Sequence, residues 1–177
     1  MIKKYKIRKD LTKEINGKTL YRIEALKSFS DVKKGDLGGF IEHDGNLSHG
    51  GNCWVYDEAS VFDYAIVLKD AKVYGNAKVY GSAHLTDKAN VFGNALVFDN
   101  AEVYDKAKVY DNAILKDSAK VYDNAKVYGY TIIAENAQIS GCAIVFENAV
   151  VEGNVIVSSN SIVCGHTLLN DVMPLID

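Results

Sequence analysis

The chain has 177 residues, 48% of them hydrophobic and 24% charged, with a formal net charge of −3 at neutral pH. That length predicts one domain, the charge excludes a strongly basic nucleic-acid-binding protein, and no apolar run is long enough to cross a bilayer. The opening MIKKYKIRKD lacks the apolar stretch of a secretory signal, so a cytoplasmic protein is expected; three cysteines match no disulfide or zinc spacing and predict free thiols. The charge is unevenly placed, with residues 1–52 at +4 and residues 53–177 at −7. An acidic shaft follows either from aspartates chosen for turns or from a surface made for a basic partner.

Residues 1–40 predict an N-terminal β-hairpin cap. KYKIR alternates with a period of two, Asn16-Gly17 is a strong hairpin-turn signal, and KTLYRIEAL resumes the alternation. Such a hairpin would protect the open strand edge of whatever follows. The next stretch, with Gly35, Gly38, Gly39, Gly45, Gly50 and Gly51, leads into the repeats, and its glycines form no phosphate-binding motif.

Residues 53–172 are twenty six-residue units without a gap, seen plainly in AKVYGN, AKVYGS and AEVYDK. Each unit reads small, variable, aliphatic, aromatic, turn, turn. The aliphatic slot holds fifteen Val, three Leu and two Ile, and the small slot holds fifteen Ala. Residues two apart on a strand share a face, so Ala and Val point inward together, while Asp, Gly and Asn at the turn positions tolerate a left-handed backbone. A corner every six residues closes as a triangle, with eighteen residues per coil of an all-β, single-stranded parallel β-helix. At about 4.8 Å per coil the shaft is roughly 30 to 35 Å long. This gives a cap at 1–40, a β-helix at 41–172 and a short tail at 173–177.

Sorting the outward slots by face exposes two signals. On one face Tyr56, Tyr74, Phe92, Tyr110, Tyr128 and Phe146 recur every eighteen residues, forming an aromatic ladder that zips the coils together or offers a strip for stacking sugars, bases or a partner. On the second face the variable slot changes from Ser60 and Lys78 to Leu96, Ile114, Ile132, Val150 and Leu168, and in the last coils Ile144, Ile156 and Ile162 make it apolar on the other faces too. Apolar residues that face water over such a length predict an oligomer interface, in a dimer or trimer, or cover by the C-terminal residues 171–177, a tail too short to reach all three faces.

Chemistry is weakly signalled. His43 and His49 lie in the entry segment, His84 in an outward slot and His166 at a corner, without the spacing of a zinc site; no nucleophile elbow or HExxH is present. No catalytic, cofactor or metal residue is assigned, and none of these groups is expected.

The stretch LYRIEALKSFSDVKKGDLGGFIEHDGNLSHGGNCWVYDEA, residues 20–59, resembles the N-terminal signature of the YdcK-like proteins of bacteria and their phages. The units after it resemble the hexapeptide-repeat proteins of the left-handed β-helix class. The resemblance implies a left-handed coil and an inherited acyltransferase label. It also suggests a phage-encoded inhibitor of a host defence protein. An acyltransferase of this type needs a His base in a groove between subunits, with a loop or extension to wall in the acyl donor; the repeats contain no insertion, and only His84 stands as a weak candidate. The expectation is a non-enzymatic solenoid that self-associates and offers a rigid surface for protein contacts.

Overall fold

The computed structural model describes residues 3–171, and the predicted tail at 173–177 lies outside the described residues. β1 (Tyr5–Ile15) and β2 (Lys18–Ala25) form the antiparallel hairpin, and β3 (Leu37–Ile41) pairs with β2. Asn16 and Gly17 close the hairpin at φ 52° and 76°, the left-handed pair that matches the twist of the flanking strands.

Twenty two-residue strands follow, from Trp54–Val55 to Leu168–Leu169, each made of the variable and aliphatic slots of one unit. They sort by every third unit into three parallel sheets, which are the faces of a triangular solenoid of about seven turns. Face one runs from Trp54–Val55 to Ile162–Val163, face two from Ser60–Val61 to Leu168–Leu169, and face three from Ile66–Val67 to Ile156–Val157. Partners along each face are eighteen residues apart, as in Leu96 with Ile114 and Ile114 with Ile132.

The inward assignment holds throughout: Ala59 to Ala149 and Val55 to Val151 are fully buried wherever those residue types fill the small and aliphatic slots. Each coil therefore contributes a thin layer of Ala and Val, and regular bonds such as Lys78 N–H to the Ala95 carbonyl at 3.0 Å tie it to the next. Backbone bonding supplements a thin core, in which Leu85, Leu115, Ile133 and Ile139 are the largest side chains that the aliphatic slots bury.

The corners explain the acidic shaft. Every fifth-slot residue from Asp57 to Glu147 and on to Gly165 has a positive φ, so Asp, Gly and a few others share a position that strains most side chains. Several corner carboxylates also accept a backbone N–H from the coil above: Asp57 from Gly75 at 3.0 Å, Asp63 from Gly81 at 3.1 Å, Asp117 from Glu135 at 3.1 Å and Asp123 from Gly141 at 2.9 Å. These aspartates are turn residues bonded to their own solenoid.

The hairpin does more than lie over an edge. Through β3, which straddles the expected boundary at 40 and 41, it extends face two, with Phe40 opposite Ser60 and Ile41 opposite Val61. Tyr5, Ile23, Ala25 and Val32 close the end of the core beside Trp54, while Ile15 and Leu20 pack outside on Phe40 and Phe62. Lys4 is fully buried in this cap, and its ammonium donates to the Cys53 carbonyl at 2.8 Å; burial lowers its pKa. Part of the basic front is engaged in surface ion pairs: Arg8 pairs with Asp10 and Glu24, Arg22 with Glu58, and Lys18 with Glu42 and Asp63.

Candidate interaction surfaces

Five of the six ladder residues form one continuous stack. Tyr74, Phe92, Tyr110, Tyr128 and Phe146 stack with centroids 4.6 to 5.2 Å apart and ring planes within 14° of parallel. Within the stack each ring face is covered by the next ring, so a base or sugar finds an open face only beyond Phe146 at its end. The ladder is a zipper, with each stacked pair worth about 0.5 to 1.5 kcal/mol beyond burial. Shorter ladders follow the same rule on the other faces: Phe62, Tyr80 and Phe98 at 5.0 and 4.8 Å, and Tyr104 with Tyr122 at 4.9 Å.

Tyr56 departs from the stack and meets Tyr74 edge-on at 6.3 Å. Its hydroxyl donates to Asp31 at 3.0 Å, while Lys72 pairs with Asp31 at 2.8 Å and lies over the Tyr56 ring. The Lys72 ammonium holds the Asp31 carboxyl down at about 2, and burial pushes the Tyr56 hydroxyl up to about 12. This cluster fastens the loop after the hairpin to face one, and nothing in its bonding leaves a group free for chemistry.

The histidines are similarly placed. His43 caps a short 3-10 turn at Asp44–Asn46, accepting from Gly45 N–H at 3.1 Å, with its other ring nitrogen 2.9 Å from the Asp63 carbonyl. His49 packs on the Tyr5 ring at 4.3 Å and accepts the Lys4 N–H at 3.2 Å. His84 and His166 are exposed on separate coils. Among the described residues no group of three or more His, Cys, Asp or Glu side chains is placed to hold a metal. The concavities along the shaft are shallow troughs, one following a corner past Asp87, Lys88, Asp105 and Lys106.

The outward apolar slots are brought together as the eighteen-residue spacing predicts. Leu96, Ile114, Ile132, Val150 and Leu168 are direct neighbours in one register along face two. Ile144 and Ile162 adjoin on face one, and Ile156 follows Gln138 on face three. Exposure rises toward the last coil, reaching 62% at Ile156, 66% at Ile162 and 42% at Leu168. In the first coils of face two the same slot is covered: Ser60 is fully buried beside the β3 strand of the cap.

Beside the stripe, the slot after the aliphatic residue reads Phe98, Lys116, Ala134, Glu152 and Asn170. Ala134 is 3% exposed, so the middle of the face is low and flat. No helix among the described residues is long and apolar enough to cross a membrane. A comparison with protein-family models finds no match to this chain, and a comparison with curated protein sequences finds none either.

Proposed function

We propose that this chain is a non-enzymatic, cytoplasmic β-solenoid that self-associates through its C-terminal coils and presents a rigid surface for protein contacts. The observation that carries this reading is the row of Ile, Val and Leu in outward slots, half-buried from Leu96 to Val150 and exposed at Ile156, Ile162 and Leu168 in the last coils. Water-facing side chains gain nothing by being apolar, and such a contiguous patch on a small protein marks a contact surface. The same reading takes the chain as a YdcK-like hexapeptide-repeat protein, on the strength of residues 20–59 and the six-residue period. An inhibitor of a host defence protein or an acyltransferase would need a partner-specific patch or a walled groove, and neither has an observation in its favour: the shaft's carboxylates serve its own corners, and its concavities are open troughs.

The expected result is a concentration-dependent mass above the 19.4 kDa monomer, measured by light scattering up to about half-millimolar protein. Val150→Glu should shift it toward the monomer, because the carboxylate must be desolvated in the contact. Lys78→Glu, on the same face but outside the apolar stripe, should leave the mass unchanged. A wild-type protein that stays monomeric over the whole range overturns the proposal.

A further inference from the structure

Face two is self-complementary about its own middle, and on the reading of self-association above we infer that two copies pair through it with their solenoid axes antiparallel. The register is fixed by levels of the sheet. Taking the Ile132 and Ala134 level as centre, the level below carries Ile114 and Lys116, and the level above carries Val150 and Glu152. A twofold axis lying in the face along the central strand sets each slot column against the same column of the second copy. Ile132 then meets its own copy, Ile114 meets Val150, and Leu96 meets Leu168. In the adjacent column Ala134 meets Ala134, and Lys116 meets Glu152 twice, once in each direction.

Three features favour this occupant and this arrangement. Glu152 has no ion-pair partner among the described residues, while Lys116 is held only by the half-exposed Asp117 at 3.1 Å, so both charges are available across a contact. The central level carries an exposed aromatic at its corner, Tyr130 at 68%, which the twofold sets beside its copy, and aromatic residues are enriched in interfaces. The hairpin packs on Phe40, Phe62 and Tyr80, below the level of Leu96, and so lies outside the five levels that the twofold brings together. At the solvent-screened rim Glu135 meets its own copy, Asp99 meets Asp171 and Asp111 meets Glu147, like-charge contacts that weaken the pairing. A twofold along the solenoid axis, which would keep the axes parallel, sets Lys116 against Ile114 and wastes both charges.

Five levels at about 4.8 Å and a face about 15 Å wide give roughly 700 Å² buried in total, below the ~1,200 Å² of a stable specific interface. The pairing is therefore a weak dimer, read at tens to hundreds of micromolar.

Sedimentation equilibrium of the full chain tests the register through charge reversal. Lys116→Glu and Glu152→Lys should each raise the dimer dissociation constant roughly tenfold, since each turns two opposite-charge contacts into two like-charge ones. Combining them restores opposite charges and should bring the constant back to within about threefold of wild type. Both positions are half-buried outward slots, and circular dichroism confirms that each variant is folded. A wild-type dimer whose double variant stays as weak as the singles overturns the antiparallel register while self-association survives. A wild type that remains monomeric overturns both.

Discussion

Ala107→Leu is expected to lower the melting temperature by about 2 to 12 °C. Ala107 is fully buried in a column of alanines that repeats at every coil, with Ala89 and Ala125 directly below and above it. Adjacent coils are pinned by Asn90 N–H to the Ala107 carbonyl and Lys108 N–H to the Ala125 carbonyl, both at 3.0 Å, so neither neighbour can move away. Overpacking of this kind costs about 1 to 3 kcal/mol, and in a chain of this size each kcal/mol moves the midpoint by about 2 to 4 °C. Lys108→Glu, one residue on and exposed, should change it by no more than about 1 °C. Thermal unfolding followed by circular dichroism reads both; an unaltered midpoint in Ala107→Leu would contradict the packing of the small slot.

Gly39→Ala should cost more, about 3 kcal/mol or a loss of roughly 6 to 12 °C, at the top of the overpacking range. A methyl group there would sit 2.6 Å from the Ala59 carbonyl oxygen and 2.6 Å from Val55 Cγ1, with the Tyr56 carbonyl at 2.9 Å. Two of these three atoms are backbone of the first two repeats, and Ala59 O already accepts the Phe40 N–H at 2.9 Å. The clash cannot be relieved without parting β3 from face two, which would release the cap from the solenoid. Gly50→Ala, whose added methyl meets nothing closer than Ser48 Oγ at 3.5 Å, is the matched control and should be close to neutral. Equal midpoints for the two variants would show that β3 does not hold the cap in the way described.

The repeat was legible because each slot has one physical duty. Ala and Val inward, Asp or Gly at a left-handed corner and an aromatic above its copy are local requirements that recur at a fixed spacing, and the hairpin announces itself through Asn16-Gly17. What the sequence hides is any contact that breaks the period. Phe40 pairs with Ser60 at a spacing of twenty, because the entry segment inserts a 3-10 turn at Asp44–Asn46 before joining the register. Lys4 is buried against Cys53 although lysine at a chain's start reads as solvent-exposed; its carbonyl partners come from Gly50, Gly51 and Cys53, residues that signal only a bend. The bonds from corner carboxylates to the next coil were equally hidden, since an aspartate favoured by turn geometry and one favoured by a partner look alike until the backbone N–H donor is placed. On the interaction surface, the apolar stripe was readable by counting eighteens. The opposed Lys116 and Glu152 could have been found by extending that count to the neighbouring slot and asking which level lies midway between them.

Hydroxyl-radical footprinting of the wild-type protein at about 5 µM and at about 500 µM bears most directly on self-association through the C-terminal coils. Oxidation of Ile132, Val150 and Tyr130 should fall at the higher concentration, while Tyr64, 79% exposed beside the capped end of the solenoid, stays constant as the internal reference. Equal labelling of Ile132 and Val150 at both concentrations would contradict it.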